Sequence, residues 1–221
     1  MVVTRPQHRF TVDEYERLIE AGILATDLRV ELIHGVIVQM SPIGGPHIAC
    51  VNRANRSATR QLPDEYYVQI QGPIRMPEDG EPVPDLAIVR VGYDERRPPL
   101  PQDVLLLAEV SDTSLRYDRG TKLPLYAAAG IAEAWIFNLN ARRLERYTDP
   151  APGGYRTVAY AEAGQGLDST VVPGLVFETD ELFGPQEGRG ERRPAGRDRR
   201  LRRAVARPVR RPPRAGGDDA G

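Results

Sequence analysis

Cysteine is almost absent from this 221-residue chain, with Cys50 standing alone. One cysteine excludes an intramolecular disulfide and fits a reducing compartment, so cytoplasm is the simplest expectation. The three histidines, His8, His34 and His47, do not combine with Cys50 at zinc-site spacing. His47 and Cys50 read first as loop or helix packing, with substrate contact by His47 as the second option. Long apolar runs are lacking too: residues 125–137 are interrupted by Gly130 and Glu133, and residues 1–10 carry no apolar signal segment. Neither secretion nor a membrane span is expected. No Gly-rich loop ends in Gly-Lys-Ser/Thr and no Gly-x-Ser-x-Gly elbow occurs, which argues against P-loop and α/β-hydrolase chemistry.

Lysine is as scarce as cysteine. Of the 30 basic residues 29 are Arg and one is Lys122. A composition that uses Arg for nearly every positive charge yet keeps one lysine suggests a position that needs a compact ammonium able to change protonation. The bland alternative is chance. The net charge of -1 conceals a split: residues 185–221 hold 12 Arg against 5 acids, whereas residues 1–184 are net acidic at -8. Residues 1–184 are long enough to bury one core. From Pro185 onward Arg, Pro and Gly dominate, too little apolar surface remains to offset ordering entropy, and a disordered basic tail is expected over 185–221.

What is present reads as alternating helices and strands. Thr11-Val12-Asp13-Glu14 has capping-box spacing and predicts a helix over 12–21, ended by Gly22. Two β-rich runs, 29–33 and 36–40, flank His34-Gly35 and predict a hairpin. In it Glu31 either faces solvent or points into a site. Residues 47–62 predict a helix whose inner side is Ile48, Val51, Ala54, Asn55 and Ala58, with Arg53, Arg56 and Arg60 outside. Strands follow at 66–71, 83–89 and 104–110, with a surface loop at 92–103. Asp85 opens one apolar run and Glu109 closes the next; by alternation Asp85 shares a face with Ala87 and Val89, and Glu109 with Leu107 and Leu105. If the runs pair, the carboxylates meet. Pro124 is comfortable only in a first helical turn, so the next helix is expected to start at Gly120 or Thr121 and end at Gly130. That would put Lys122 in the first turn, where the helix dipole disfavours a cation unless carboxylates compensate. Tyr126, four residues on, shares its side and reads as core. A buried strand is expected at 133–138, a more exposed partner at 143–147 and another at 155–160, with 167–177 and 179–183 completing the domain.

The ordered blocks Phe10-Thr11-Val12-Asp13-Glu14-Tyr15, Glu31-Leu32-Ile33-His34-Gly35, Met40-Ser41-Pro42, Pro84-Asp85-Leu86, Ala108-Glu109-Val110-Ser111 and Asp118 to Trp135 resemble the Uma-two family of restriction-endonuclease-like proteins, within the PD-(D/E)XK nuclease superfamily. The resemblance spans roughly residues 8–183. It implies a mixed α/β fold: a mixed sheet flanked by helices, with an N-terminal helix and a β-hairpin. It also implies that Asp85 and Glu109 hold Mg²⁺, that Glu31 contributes to the metal site, and that a lysine assists the attacking water. The superfamily pattern has that lysine two residues after Glu109, where this chain has Ser111; the family carries it on the following helix, which matches Lys122. The implied activity is Mg²⁺-dependent DNA endonuclease, with DNA as partner and a homodimer as an admissible assembly. The alternative is a non-catalytic nucleic-acid-binding or partner-binding module on the same fold. Chemically, phosphodiester hydrolysis needs a hard cation on carboxylate oxygens, and three acids with one lysine supply the ligands and a balancing charge.

The charge split makes the tail the natural place for phosphate neutralisation. Truncation after Phe183 should leave the fold intact, weaken DNA affinity and flatten the dependence of log affinity on log salt, because fewer counterions are released. An unchanged salt slope would mark the tail as passive.

Overall fold

In a computed structural model the structure describes residues 7–25, 28–77, 80–185 and 206–208. The expected basic tail therefore lies outside the described residues, apart from Pro185 and a short strand noted below.

The N-terminal helix α1 (Val12–Glu20) forms where its capping box predicts: the Thr11 hydroxyl accepts from Glu14 N–H while the Glu14 carboxylate accepts from Thr11 N–H. It buries Val12 and Tyr15 against Leu32. Strands β1 (Val30–Ile33) and β2 (Val36–Gln39) make the expected hairpin, turned by His34 and Gly35 at φ 50° and 71°. The hairpin is a two-stranded sheet of its own. It is joined to the body by Leu32 and Glu81, which exchange backbone hydrogen bonds of 2.8 and 3.2 Å.

Helix α2 (Gly45–Thr59) leads into β3 (Tyr66–Ile70), β4 (Leu86–Arg90) and β5 (Val104–Ser111). Its buried side is Cys50, Val51, Ala54, Ser57 and Ala58; Ile48 and Asn55, expected inside, lie on an exposed and a half-buried edge. The α2 axis is thus rotated from the predicted stripe, because the sheet it covers accepts the small residues. A helical crossover runs through α3 (Leu115–Tyr117), a π-helical turn (Asp118–Lys122) and α4 (Leu123–Ala128) to β6 (Glu133–Asn138). Then come β7 (Arg143–Ala151), β8 (Gly154–Ala161), β9 (Gly166–Asp168), β10 (Val176–Glu178), α5 (Thr179–Phe183) and β11 (Ala206–Pro208). Among the described residues seven strands form one mixed sheet in the order β11-β8-β7-β6-β5-β4-β3. Its neighbours are antiparallel except β5 and β6, the pair joined by the crossover.

Both faces of the sheet are covered, which is why β5 and β6 are buried along their whole length. On one face α2, α5 and the β9–β10 pair pack over Ile88, Leu106, Ala108, Trp135 and Phe137. On the other, Leu123, Tyr126 and Ala127 of α4 cover Ala87, Val89, Leu107, Ala134 and Ile136. Asp85 and Glu109 extend the second face, as alternation predicts. Leu105 does not: the register shifts between Ile88 and Val89, an extra residue bulges into β5, and Leu105 turns to the first face beside Leu106.

The crossover differs from expectation in a way that matters for Lys122. The helical course starts at Leu115, five or six residues early, and passes through Pro124 without breaking. The π turn explains this: Leu123 N–H bonds Asp118 O, an i→i+5 step that widens the coil just before the proline, whose ring would otherwise clash with the carbonyl four residues back. Lys122 therefore sits inside a helical run and not in a first turn, so the predicted dipole penalty does not apply. Strand β7 also departs from expectation. Glu145, on the strand read as the more exposed partner, is fully buried and bound by Arg119, Arg143, Asn138 and Tyr147.

Glu81, which stitches the hairpin to the body, is buried, and its Oε2 has no hydrogen-bond partner among the described residues. Burial, reinforced by the neighbouring Glu16 charge and opposed by Arg75, raises its pKa to about 7. Between its ordinary value and about 7 the folded chain holds a proton that the unfolded chain has lost, so this group's contribution to stability falls as pH rises through that window. Glu81→Gln should remove that loss. Measured as the difference from wild type in denaturant titrations, the variant should gain up to about 3 kcal/mol between pH about 4.5 and about 7 and hold that gain above it.

Candidate active site

The four residues singled out in the sequence, Glu31, Asp85, Glu109 and Lys122, all line one cavity of about 410 Å³ at the end of the central strands. Asp85 precedes β4 and lies one step beyond the Leu86–Ala108 pairing, which sets it opposite Glu109 of β5. Its carboxylate is held from three directions. Gln71 Nε2 donates to Oδ1 at 3.1 Å, and Oδ2 accepts from Val110 N–H at 2.9 Å and meets His47 Nε2 at 3.0 Å. Lys122 Nζ lies 3.0 Å from Glu31 Oε2 and 3.2 Å from Glu109 Oε1, and it is 4% exposed. Glu31, whose orientation the sequence leaves open, points inward. It is 3% exposed and accepts Val83 N–H at 3.2 Å besides the lysine.

The surroundings set the charge states. Burial works against the Asp85 anion, but His47, Val110 N–H and Gln71 outweigh it and hold its pKa below the ordinary carboxylate value. Glu109 goes the other way: burial, with Asp118 and Asp85 nearby, pushes its pKa well up against the opposing pull of Lys122 and Tyr126. Asp118 is raised by burial although the Ser114 and Ser111 hydroxyls donate to it. Burial alone would lower Lys122, yet the charges of Glu109 and Glu31 win and its pKa is raised. The sequence suggested a lysine kept because it could lose its proton. Its neighbours favour a lysine that keeps it.

Several residues complete the site that sequence reasoning placed elsewhere. Tyr126, read as core, donates its hydroxyl to Glu109 Oε1 at 2.5 Å; its spacing of four from Lys122 was the available signal. His47, read as packing, stands in the first turn of α2 against Asp85, a pairing across 38 residues that no local pattern signals. Ser111, at the superfamily's lysine position, instead donates to Asp118 Oδ2 at 2.7 Å, as Ser114 does at 2.6 Å.

Mg²⁺ suits this donor set in one respect and is not pre-caged in another. Carboxylate oxygens are its preferred ligands, and five acids on the cavity wall outnumber its lysine and arginine, so a cation would relieve their mutual repulsion. Among the described residues, however, no three His, Cys, Asp or Glu side chains are grouped as a ready metal cage. Mg²⁺ seldom needs one, because it is commonly held by one or two carboxylates together with water and substrate phosphate. Asp85 and Glu109, on paired strands, fit that mode.

Comparison with known proteins follows the same direction. The Uma2 (Uma-two) family model, described as "Putative restriction endonuclease", matches residues 12–180 and so takes in every residue of the site. A crystal structure titled as a putative nuclease belonging to DUF820, from Anabaena variabilis, superposes with a TM-score of 0.60 at 14% identity, covering 79% of this chain and 97% of that one. At that identity the likeness carries the fold alone. No curated protein matches the chain. Among the described residues no helix is long and apolar enough to cross a membrane.

The buried ion pairs make Lys122 costly to remove. Lys122→Met should lower the unfolding free energy by about 3–5 kcal/mol near neutral pH, because Glu31 and Glu109 lose their shared counter-charge. Adding Glu109→Gln should restore part of that loss in the same denaturant titration.

Proposed function

Because the chain belongs to the Uma2 family, described as "Putative restriction endonuclease", we propose that it is an endonuclease that hydrolyses DNA phosphodiester bonds with Mg²⁺. The observation that carries this reading is the convergence of Asp85 and Glu109, from paired strands, with Glu31 and Lys122 on one cavity inside the span matched by the family. Asp85 and Glu109 would hold the metal, and Glu31 would complete or orient the site. Bound there, Mg²⁺ would polarise the scissile phosphate and make a bound water acidic enough to attack near neutral pH. The chain's own groups do the rest. Asp85 is kept ionised and fixed in direction by Gln71, Val110 N–H and His47. Lys122, held charged by Glu31 and Glu109, places a compact positive charge where negative charge builds on the phosphorane. Tyr126 fixes the Glu109 carboxyl so that it does not swing from the cavity.

The purified chain incubated with supercoiled plasmid and Mg²⁺ tests this reading. Nicked and linear products should appear, and Asp85→Ala should cut them by roughly 10²–10⁴-fold, the range for losing a charge-stabilising or proton-transfer arrangement. Mg²⁺ should raise the melting temperature of the wild type and not of Asp85→Ala. Intact plasmid with a preserved Mg²⁺ shift would leave a metal-binding module without nuclease activity. Loss of both effects would remove the reading.

A further inference from the structure

The π turn has a second consequence beyond accommodating Pro124. An i→i+5 coil turns less per residue than an α-helix, so Tyr117 is brought round toward the side of Lys122. In a regular α-helix these two would diverge. Both line the active-site cavity, together with Ser114 and Asp118 from the same helical course. Asp118 already accepts from two serine hydroxyls, and Lys122 already meets two carboxylates. Tyr117 is different: its hydroxyl oxygen is buried and has no hydrogen-bond partner among the described residues. Burial, and then the Glu31 charge, push its pKa up to about 12, so the hydroxyl keeps its proton and can donate. A buried polar group left unpaired costs about 1–3 kcal/mol, and such groups in native folds call for a reason.

An anionic oxygen entering the cavity would supply the missing acceptor. The charged side chains of the cavity wall are otherwise mostly carboxylates, which repel a phosphate, so a neutral donor on the same wall as the Lys122 ammonium is chemically apt there. Arg29 adds an exposed guanidinium at the rim of the same cavity. We propose that Tyr117 is a substrate-contact residue whose hydroxyl donates to a non-bridging oxygen of the nucleic-acid phosphodiester, beside Lys122. The inference rests on the nuclease reading of the site and adds a residue that neither the motif pattern nor the metal ligands include. The residue carries no ionic charge, so its contribution is directional: it fixes the rotation of the phosphate about the bond to be cut. The π turn then has a functional reason, since it is the device that brings residue 117 around to residue 122.

Tyr117→Phe removes only the hydroxyl oxygen, and three measurements on the full chain separate the outcomes. Affinity for a short fluorescent DNA duplex is read by anisotropy with Ca²⁺ replacing Mg²⁺, plasmid cleavage with Mg²⁺ gives KM and kcat, and the melting temperature is taken without DNA. Binding should weaken by about 10- to 100-fold, the worth of one hydrogen bond to a charged group. The loss should fall on KM, or on KM and kcat together, while the melting temperature stays level or rises because an unpaired buried hydroxyl has gone. Unchanged affinity and KM would overturn the proposal, as would a clear drop in melting temperature, which would show that the hydroxyl serves the fold. If the wild type neither binds nor cuts DNA, the nuclease reading itself fails and takes this inference with it. A wild type that does both while Tyr117→Phe matches it leaves that reading standing and removes the inference alone.

Discussion

Two carboxylates from distant parts of the chain share one buried ammonium, and much of the molecule is arranged so that they can. Glu31 comes from a hairpin that is not part of the main sheet, Glu109 from a strand buried along its whole length, and Lys122 from the crossover helix that links two parallel strands. A two-stranded hairpin is marginal by itself, so β1–β2 needs anchorage. It receives it from the backbone exchange between Leu32 and Glu81, from the packing of α1, and from this ion pair. Removing the ammonium leaves two acids buried without a counter-charge, which in general costs more than the ion pair contributes to stability in the first place. Such a cluster is a poor way to stabilise a fold and a good way to hold reactive groups in fixed positions.

Around that centre the two facing carboxylates are placed in opposite environments. Asp85 meets three donors and stays an anion, whereas Glu109 meets apolar burial and other acids and is pushed toward its neutral form. Environments that separate two carboxyl groups in this way are a common mark of assigned chemical roles. The sheet produces the difference. Asp85 lies at the open end of β4, where Gln71 and His47 reach it, while Glu109 lies under α4, where Tyr126 covers it.

Much of this was legible because the informative residues broke local patterns. Asp85 and Glu109 stood out as lone charges at the ends of apolar runs, and those runs were apolar because both faces of the sheet are covered. The capping box at Thr11 and the His34-Gly35 turn are complete within a few residues, so α1 and the hairpin followed from them. What could not be read was settled by pairing across the chain. The bulge that turns Leu105 arises from the register of β5 against β4, and no residue within β5 announces it. His47 and Gln71 reach Asp85 from 38 and 14 residues away, and Glu145 is buried because Arg119, 26 residues earlier, comes back to it. Pro124 was read correctly as incompatible with an ordinary helix interior. The sequence offered no sign that the chain would widen its coil instead of starting a new helix.

The single lysine gains its meaning from a contrast within the same chain. Glu145, a buried acid away from that cluster, is met by Arg119 and Arg143, whose side chains remain 37% and 29% exposed. There a guanidinium can lie in the plane of the carboxylate and keep its far edge in water, and no size limit applies. In the candidate site the cation is enclosed, with 5% of its side chain exposed, and must meet two carboxylates that approach from different segments. A planar fork can span two carboxylates, as the part-exposed Arg75 does with Glu16 and Asp13, but only where both reach its edge and there is room for its width. An ammonium directs three donors outward like a tripod, so it reaches both acids and keeps one donor for a third oxygen. A chain otherwise built with arginine alone thus carries lysine at an enclosed position where the shape of the charge, and not only its sign, decides what can fit.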